Sequence, residues 1–377
     1  MIKQNSLTGA FVMGNAGLFL IYILPQMLSM VTAQYQLTAV QSGLFGSSDL
    51  IGSALISVSS IYWIRKISLR RYGLIGLCII LIGNLLCTLV DDFSTLLLLR
   101  VFCGIGEGLV IALTLIMIHD SKNLEKNFAI YLMVTLVVGA IMVLLNPYLI
   151  GNFGSDFIFL SQGGMALLAL PFCFTWIPDY ALVESDVTFT SDGLNFKAIR
   201  GLFAIMLMFV GYGGLWAFSE QIGIARGFDQ EFISLVLSGA LGIALIGLAL
   251  PIIFNDQKHA VLFITLGMLG LLGYALLISF GQNQTDYLVA IWLGSLAVNM
   301  VLPYMTGVIA EFDSTGKSMV LIMPLYSIGF ALGPVLISLL LQGNGNTWLG
   351  LGMSLLFALV LWIFLELMKR LKQTTDE

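Results

Sequence analysis

The sequence predicts an all-α membrane protein whose twelve transmembrane helices form two pseudo-symmetric six-helix bundles. Three observations carry that expectation. Hydrophobic residues make up 59% of the 377 and charged residues 10%, against about 25% charged in a soluble domain. Apolar runs of about 20 residues, the length a helix needs to cross the hydrocarbon core, recur along nearly the whole chain. One longer polar connection, PDYALVESDVTFTSDGLNFK from Pro178 to Lys197, divides them six and six.

In order, the runs fall near residues 9–31, 40–62, 72–90, 95–118, 128–150, 157–177, 200–222, 231–254, 259–280, 286–309, 317–341 and 346–368. The first is longer than the ~7–15 apolar residues of a signal peptide, so it is read as a retained helix. The second carries Asp49 within GLFGSSDLIGSAL, and the fourth carries Arg100 and Glu107. Short polar breaks part the others, with DDFS at Asp91, GNFGSD at Gly151, GQNQTD at Gly281 and QGNGNT at Gln342. Pro25, Pro147, Pro303, Pro324 and Pro334 interrupt spans, where a missing backbone donor bends a helix, and they are read as mechanical. Cys78, Cys87, Cys103 and Cys173 lie inside apolar runs without metal-ligand spacing, so they are read as packing residues and no metal or cofactor is expected. The resulting domains are an N-terminal bundle (1–177), an inter-bundle loop (178–199) and a C-terminal bundle (200–377).

Basic residues set the orientation. Of the 16 lysines and arginines, all but Arg226 and the intramembrane Arg100 fall on the side that holds both ends of the chain. Both termini are therefore expected to be cytoplasmic in a plasma membrane, of the bacterial inner-membrane type. The halves also echo each other: GSALISVSS at Gly52 resembles GIALIGLAL at Gly242, an offset of 190, and Asn146-Pro147 answers Gly333-Pro334, an offset of 187. Paired halves with a site at their interface are how many secondary transporters are built.

The stretch LLLLRVFCGIGEGLVIAL places Arg100 and Glu107 seven residues apart, on one helix face about two turns from each other. A charge at membrane depth is costly unless it meets a partner or a wet cavity, so both residues are functional candidates. Two readings of Arg100 stand at this stage: it pairs with Asp49 at comparable depth, or it attracts an anionic group of the substrate. Glu107, near mid-membrane and without an evident cation, is the leading proton carrier, with Asp49 as a second candidate. Gly104, Gly106 and Gly108 let a neighbouring helix approach closely.

Arg100-Val-Phe-Cys-Gly104-Ile-Gly106-Glu107-Gly108 is similar to the fourth-helix motif of the major facilitator superfamily, and the twelve spans split six and six extend that resemblance over nearly the whole chain. The family's loop signature between spans 2 and 3 is only partly kept: YWIRKISLRRYG retains Arg70 and Arg71, but Lys66 stands where the acid would be. Span 5 reads LNPYLIG rather than the Gly-Pro pattern of the family's drug antiporters, whereas SIGFALGP in span 11 resembles that pattern. The resemblance implies that spans 1, 4, 7 and 10 line a central cavity. On that basis Asn15, Tyr22 and Gln26, Tyr212 and Trp216, and Asn299 and Tyr304 join Arg100 as substrate-cavity candidates. Arg70 and Arg71 are candidates for a loop latch and Glu220 for a gate.

The function expected is secondary transport of a small organic solute by alternating access, coupled to protons, by a chain working as a monomer among membrane lipids. The motifs lean toward uptake of an organic anion, and the alternative is proton-driven export of lipophilic or cationic compounds. Neither an ATP-binding loop nor a nucleic-acid-binding feature is present. The remote alternatives are an enzyme using His119 and Asp120, or a non-transporting receptor.

Overall fold

The computed structural model describes residues 4–60, 66–181, 195–254, 259–313, 317–342 and 345–375. Most of the predicted inter-bundle loop, 182–194, lies outside them, as do Lys3, Arg65 and Lys258 among the basic residues that set the expected orientation. The described residues form twelve helices: α1 (Gln4–Tyr35), α2 (Ala39–Ser60), α3 (Leu69–Cys87), α4 (Phe93–His119), α5 (Leu124–Phe153), α6 (Phe157–Trp176), α7 (Phe196–Ala225), α8 (Gln230–Ile253), α9 (Ala260–Phe280), α10 (Gln284–Ala310), α11 (Lys317–Leu341) and α12 (Asn346–Thr375). Several outrun their apolar cores, because a helix ends where its backbone is capped rather than where hydropathy falls. Asp92 caps α4 by accepting the Thr95 N–H at 2.8 Å, and Asn283 caps α10 by accepting that of Asp286 at 2.8 Å.

Eleven of the helices are long and apolar enough to cross a membrane, and α2 is the exception. The twelve helices expected are all present, and among the described residues only α2 has too low a mean hydropathy to count as a span by composition. Gln41, Asp49 and repeated serines lower the hydropathy of α2. Its 22 residues still extend roughly 33 Å at 1.5 Å per residue, enough to cross the hydrocarbon core.

The chain forms two compact units, Met1–Leu37 with Leu44–Val187, and Thr38–Gly43 with Thr188–Glu377. In the first, α1 packs against α4, α5 and α6, while α3 packs against α4 and α6. In the second, α7 packs against α10, α11 and α12, while α9 packs against α10 and α12. Adding six to each helix number of the first unit reproduces the pairings of the second, which is the internal symmetry the sequence echoes suggest. GSALISVSS and GIALIGLAL indeed fall on α2 and α8, and the two proline pairs fall on α5 and α11.

Small residues and polar groups hold neighbouring helices where hydrocarbon alone gives little preference between partners. A Cβ on Gly104 of α4 would overlap the carbonyl oxygen of Asp49 on α2, and one on Gly108 would come within 2.8 Å of the Ser53 carbonyl. The two backbones therefore touch, which brings the Asp49 side chain onto α4. Between α1 and α5, the Tyr131 hydroxyl donates to the Gly14 carbonyl at 3.1 Å, and the Tyr22 and Thr135 hydroxyls meet at 2.9 Å. Between α8 and α10, the Trp292 indole donates to the Val236 carbonyl at 3.0 Å and the Ser295 hydroxyl to Ala240 at 2.8 Å.

Candidate functional site

The charged centre lies inside the first unit. Arg100 is fully enclosed, and three helices besides its own, α2, α3 and α6, supply its partners. Its Nε donates to Asp49 Oδ2 at 2.8 Å, its Nη1 to Asn84 Oδ1 on α3 at 2.9 Å and its Nη2 to Gln162 Oε1 on α6 at 3.0 Å. Nη2 also lies 2.7 Å from Asp49 Oδ1, completing a two-pronged ion pair. The Phe159 ring covers the guanidinium from 5.7 Å. Donors on Nε, Nη1 and Nη2 reaching three different side chains suit arginine rather than lysine.

Gln162 carries the network onward, because its Nε2 donates to Glu107 Oε1. Glu107 and Asp49 are both enclosed at 1% exposure. The centre thus contains one guanidinium and two carboxyls linked through a single side-chain amide. One carboxylate balances the arginine, so the cluster is electrically neutral when the second carboxyl holds a proton. An unbalanced charge at this depth is expensive, so proton occupancy and cluster charge are tied together.

Of the two readings of Arg100, the geometry gives pairing with Asp49. Asn84 and Gln162 complete the centre, and they were not singled out in the sequence. The signal was present, since each is an amide within an otherwise apolar span, where a polar group needs a partner.

The remaining predicted cavity residues have defined partners. Asn15 donates to the Phe11 carbonyl of its own helix at 3.1 Å. Gln26 donates to the Val143 carbonyl at 2.7 Å and accepts from Asn146 Nδ2 at 2.9 Å, so it joins Tyr22 in holding α1 to α5. In the second unit, Tyr212 lies beside Tyr274 and Phe330, with ring centroids 6.2 and 6.1 Å away, and Trp216 is buried one turn further along α7. Phe209 and Tyr326 extend the aromatic cluster around Phe330. Asn299 bonds its own helix through the Ser295 carbonyl at 2.8 Å, and Tyr304 stacks on Phe263 at 4.9 Å. Glu220, 2% exposed, accepts from Gln230 Nε2 at 2.7 Å through Oε1, while its buried Oε2 has no hydrogen-bond partner among the described residues.

Arg70 and Arg71 begin α3. Arg70 Nε donates to the Ile177 carbonyl at 2.9 Å, and Nη1 lies 3.8 Å from Asp179 Oδ2. Ser68 donates to the other Asp179 oxygen, and the Leu69 N–H to the Tyr180 carbonyl at 3.1 Å. The start of α3 is thereby tied to the segment after α6. Asp179 is an acid that pairs with this loop, while Lys66 occupies the position expected of an acid. The Ser68 hydroxyl, then Arg70 and Arg71, hold the Asp179 carboxyl below the usual carboxylate range. Arg71 is itself exposed, and His119 is an exposed residue at the end of α4.

A family model described as Major Facilitator Superfamily matches residues 7–334. No curated protein matches the sequence. Among solved structures, the chain is similar to the human organic anion transporter MFSD10 (TETRAN), with a TM-score of 0.66 and 16% identity over 95% of this chain and 97% of that one. At that identity the likeness is one of fold.

Proposed function

The chain belongs to the major facilitator superfamily, a family of membrane transporters rather than enzymes, and from that premise we propose that it exchanges protons at Glu107 for a lipophilic or cationic organic solute by alternating access. It is a multi-pass integral membrane protein, and its substrate is a small molecule. The observation that carries the finer reading is the Asp49–Arg100–Gln162–Glu107 network. With Asp49 engaged by Arg100, Glu107 is the carboxyl whose proton decides the charge of the centre.

The choice of substrate class follows from the same pairing. The lean toward uptake came from the span 5 motif, and an importer of an organic anion would use Arg100 with the tyrosines, but this guanidinium is enclosed by Asp49, Asn84 and Gln162. In the second unit the acid Glu220 keeps one buried oxygen without a hydrogen-bond partner among the described residues, and the Tyr212–Tyr274–Phe330 cluster offers aromatic faces. Acids and aromatic faces complement a cation or an apolar ring. Export therefore takes precedence over anion uptake. We further propose that both termini lie on the cytoplasmic side of a plasma membrane of the bacterial inner-membrane type, a sidedness that the lysine and arginine bias supports, and that a single chain among lipids is the working unit.

The test is transport in proteoliposomes under an imposed pH gradient, with matched panels of organic anions and lipophilic cations. The expected result is gradient-driven movement of a lipophilic cation that becomes insensitive to the gradient in Glu107→Gln. Anion uptake by the native chain would overturn the substrate class, and gradient sensitivity retained in Glu107→Gln would overturn the role of Glu107.

A further inference from the structure

Pro147 lies inside α5. Having no backbone N–H, it cannot bond the carbonyl four residues earlier, so the helix itself leaves the Val143 carbonyl without its donor. Val143 is fully buried, and an unmet acceptor inside a membrane is costly. The missing donor comes from another helix: Gln26 Nε2, on α1, reaches the Val143 carbonyl at 2.7 Å.

That one bond fixes the amides around it. A carbonyl only accepts, so Gln26 turns its nitrogen to Val143 and its oxygen to Asn146, whose Nδ2 donates to it at 2.9 Å. Asn146 must then point its own oxygen away, and this buried Oδ1 has no hydrogen-bond partner among the described residues. Gln26 Nε2 thus has a second acceptor on a residue it already meets. Moving there would give a reciprocal amide pair, with Nε2 donating to Oδ1 and Nδ2 to Oε1. Each arrangement makes two hydrogen bonds among these three residues and leaves one acceptor over: Asn146 Oδ1 in the first, the Val143 carbonyl in the second. The number of hydrogen bonds does not separate them.

Packing differs on the two sides of Pro147. Before it, Tyr131 and Thr135 are buried and bonded to Gly14 and Tyr22 of α1, and a Cβ on Gly139 would meet the Tyr22 ring at 2.6 Å. Among residues 147–156 none is buried. A Cβ on Gly151 would meet nothing within 4 Å, Asn152 Nδ2 bonds the Tyr148 carbonyl of its own helix at 2.7 Å, and Phe153 stacks on Phe157 across the turn into α6.

We infer that Gln26 and Asn146 form a two-position clasp that sets a hinge at Pro147. With Gln26 on the Val143 carbonyl, as here, α1 braces α5 through the break and the last turns of α5 are held. With the two amides paired, the carbonyl is released and residues 147–153 swing about the break, which gives the first unit a moving part of its own. A proline break with two side-chain settings is a bistable element rather than a fixed bend. The clasp is separate from the Arg100 centre, so it stands or falls independently of proton coupling and of the solute transported.

The test is hydrogen exchange of the purified full-length chain in detergent, read by mass spectrometry on peptides covering residues 148–153. Backbone amides exchange when their helix opens locally. Gln26→Leu removes the brace, and exchange in these peptides should quicken about fivefold or more while residues 131–139 are unchanged. Alanine at position 147 returns a helical donor to the Val143 carbonyl, so Gln26→Leu should have no effect in the Pro147→Ala background. Asn146→Leu removes the second position and keeps the first, and exchange should slow. No change in Gln26→Leu, or the same acceleration with either residue at position 147, would make Gln26 a packing residue and overturn the proposal. Faster exchange in Asn146→Leu would leave a clasp with a single position and overturn it equally. If Gln26→Leu fails to fold, the direction of the Asn146→Leu change decides the matter alone.

Discussion

The guanidinium of Arg100 and the carboxylate of Asp49 form a two-pronged ion pair across α4 and α2, at 2.8 Å through Nε and 2.7 Å through Nη2, with both side chains enclosed. Breaking a buried pair by removing one partner leaves the other charge without compensation, at a cost of about 3–5 kcal/mol. Asp49→Asn is therefore expected to lower the unfolding midpoint sharply in detergent. Replacing both partners, as in Asp49→Leu with Arg100→Met, should recover part of the loss. An Asp49→Asn variant as stable as the native chain would mean that the pair is not what balances Arg100.

That pair requires α2 and α4 to touch, and Gly104 is where they do. A methyl at this position would run into the Asp49 carbonyl oxygen, so Gly104→Ala must push the helices apart and loosen the ion pair with them. Gly164 on α6 is the control, because nothing lies within 4 Å of the Cβ it would gain. Alanine in a helix interior is favoured over glycine by about 0.5–1 kcal/mol. Opposite signs are expected in thermal unfolding: Gly104→Ala destabilised and Gly164→Ala unchanged or slightly stabilised.

Each level of this organisation was legible to a different depth. Twelve helices could be read because lipid demands long apolar runs, and Arg100 with Glu107 stood out because charges in such runs are rare. The partner of Glu107 could not be read. Gln162 lies 55 positions away, and nothing in helical spacing says which face of α6 turns toward α4. The two roles of Tyr22 and Gln26 were hidden for a related reason: their periodicity identifies a polar stripe but not what it meets, and here it meets α5. Asp179 was missed as the partner of the loop because the family pattern directs attention to position 66, whereas the pairing acid arrives from beyond α6.

The Asp179 contact gives a pH signature at the start of α3. Its carboxyl is held below the usual range by Ser68 and then by Arg70 and Arg71, so its contribution to stability is fully present above the unfolded value of about 3.9. That contribution fades as pH falls through the folded value. The difference in unfolding midpoint between the native chain and Asp179→Asn should thus be largest near neutrality and vanish on strong acidification. A difference that persists unchanged at low pH would assign the contact to shape rather than charge.

Gln162 offers the sharpest separation of folding from coupling. Its Oε1 accepts from Arg100 at 3.0 Å while its Nε2 donates to Glu107, so one amide connects the balanced pair to the second carboxyl. In Gln162→Leu, Arg100 keeps Asp49 and Asn84, and the loss of stability should stay near the roughly 1–3 kcal/mol of an unsatisfied buried group. The connection to Glu107, however, is gone. Gradient-driven transport in proteoliposomes is expected to fall by at least about tenfold, which corresponds to roughly 1.4 kcal/mol of lost coupling, while exchange without a pH gradient continues. Equal losses with and without a gradient would make Gln162 a packing residue and leave the charge of the centre to be set by Glu107 alone.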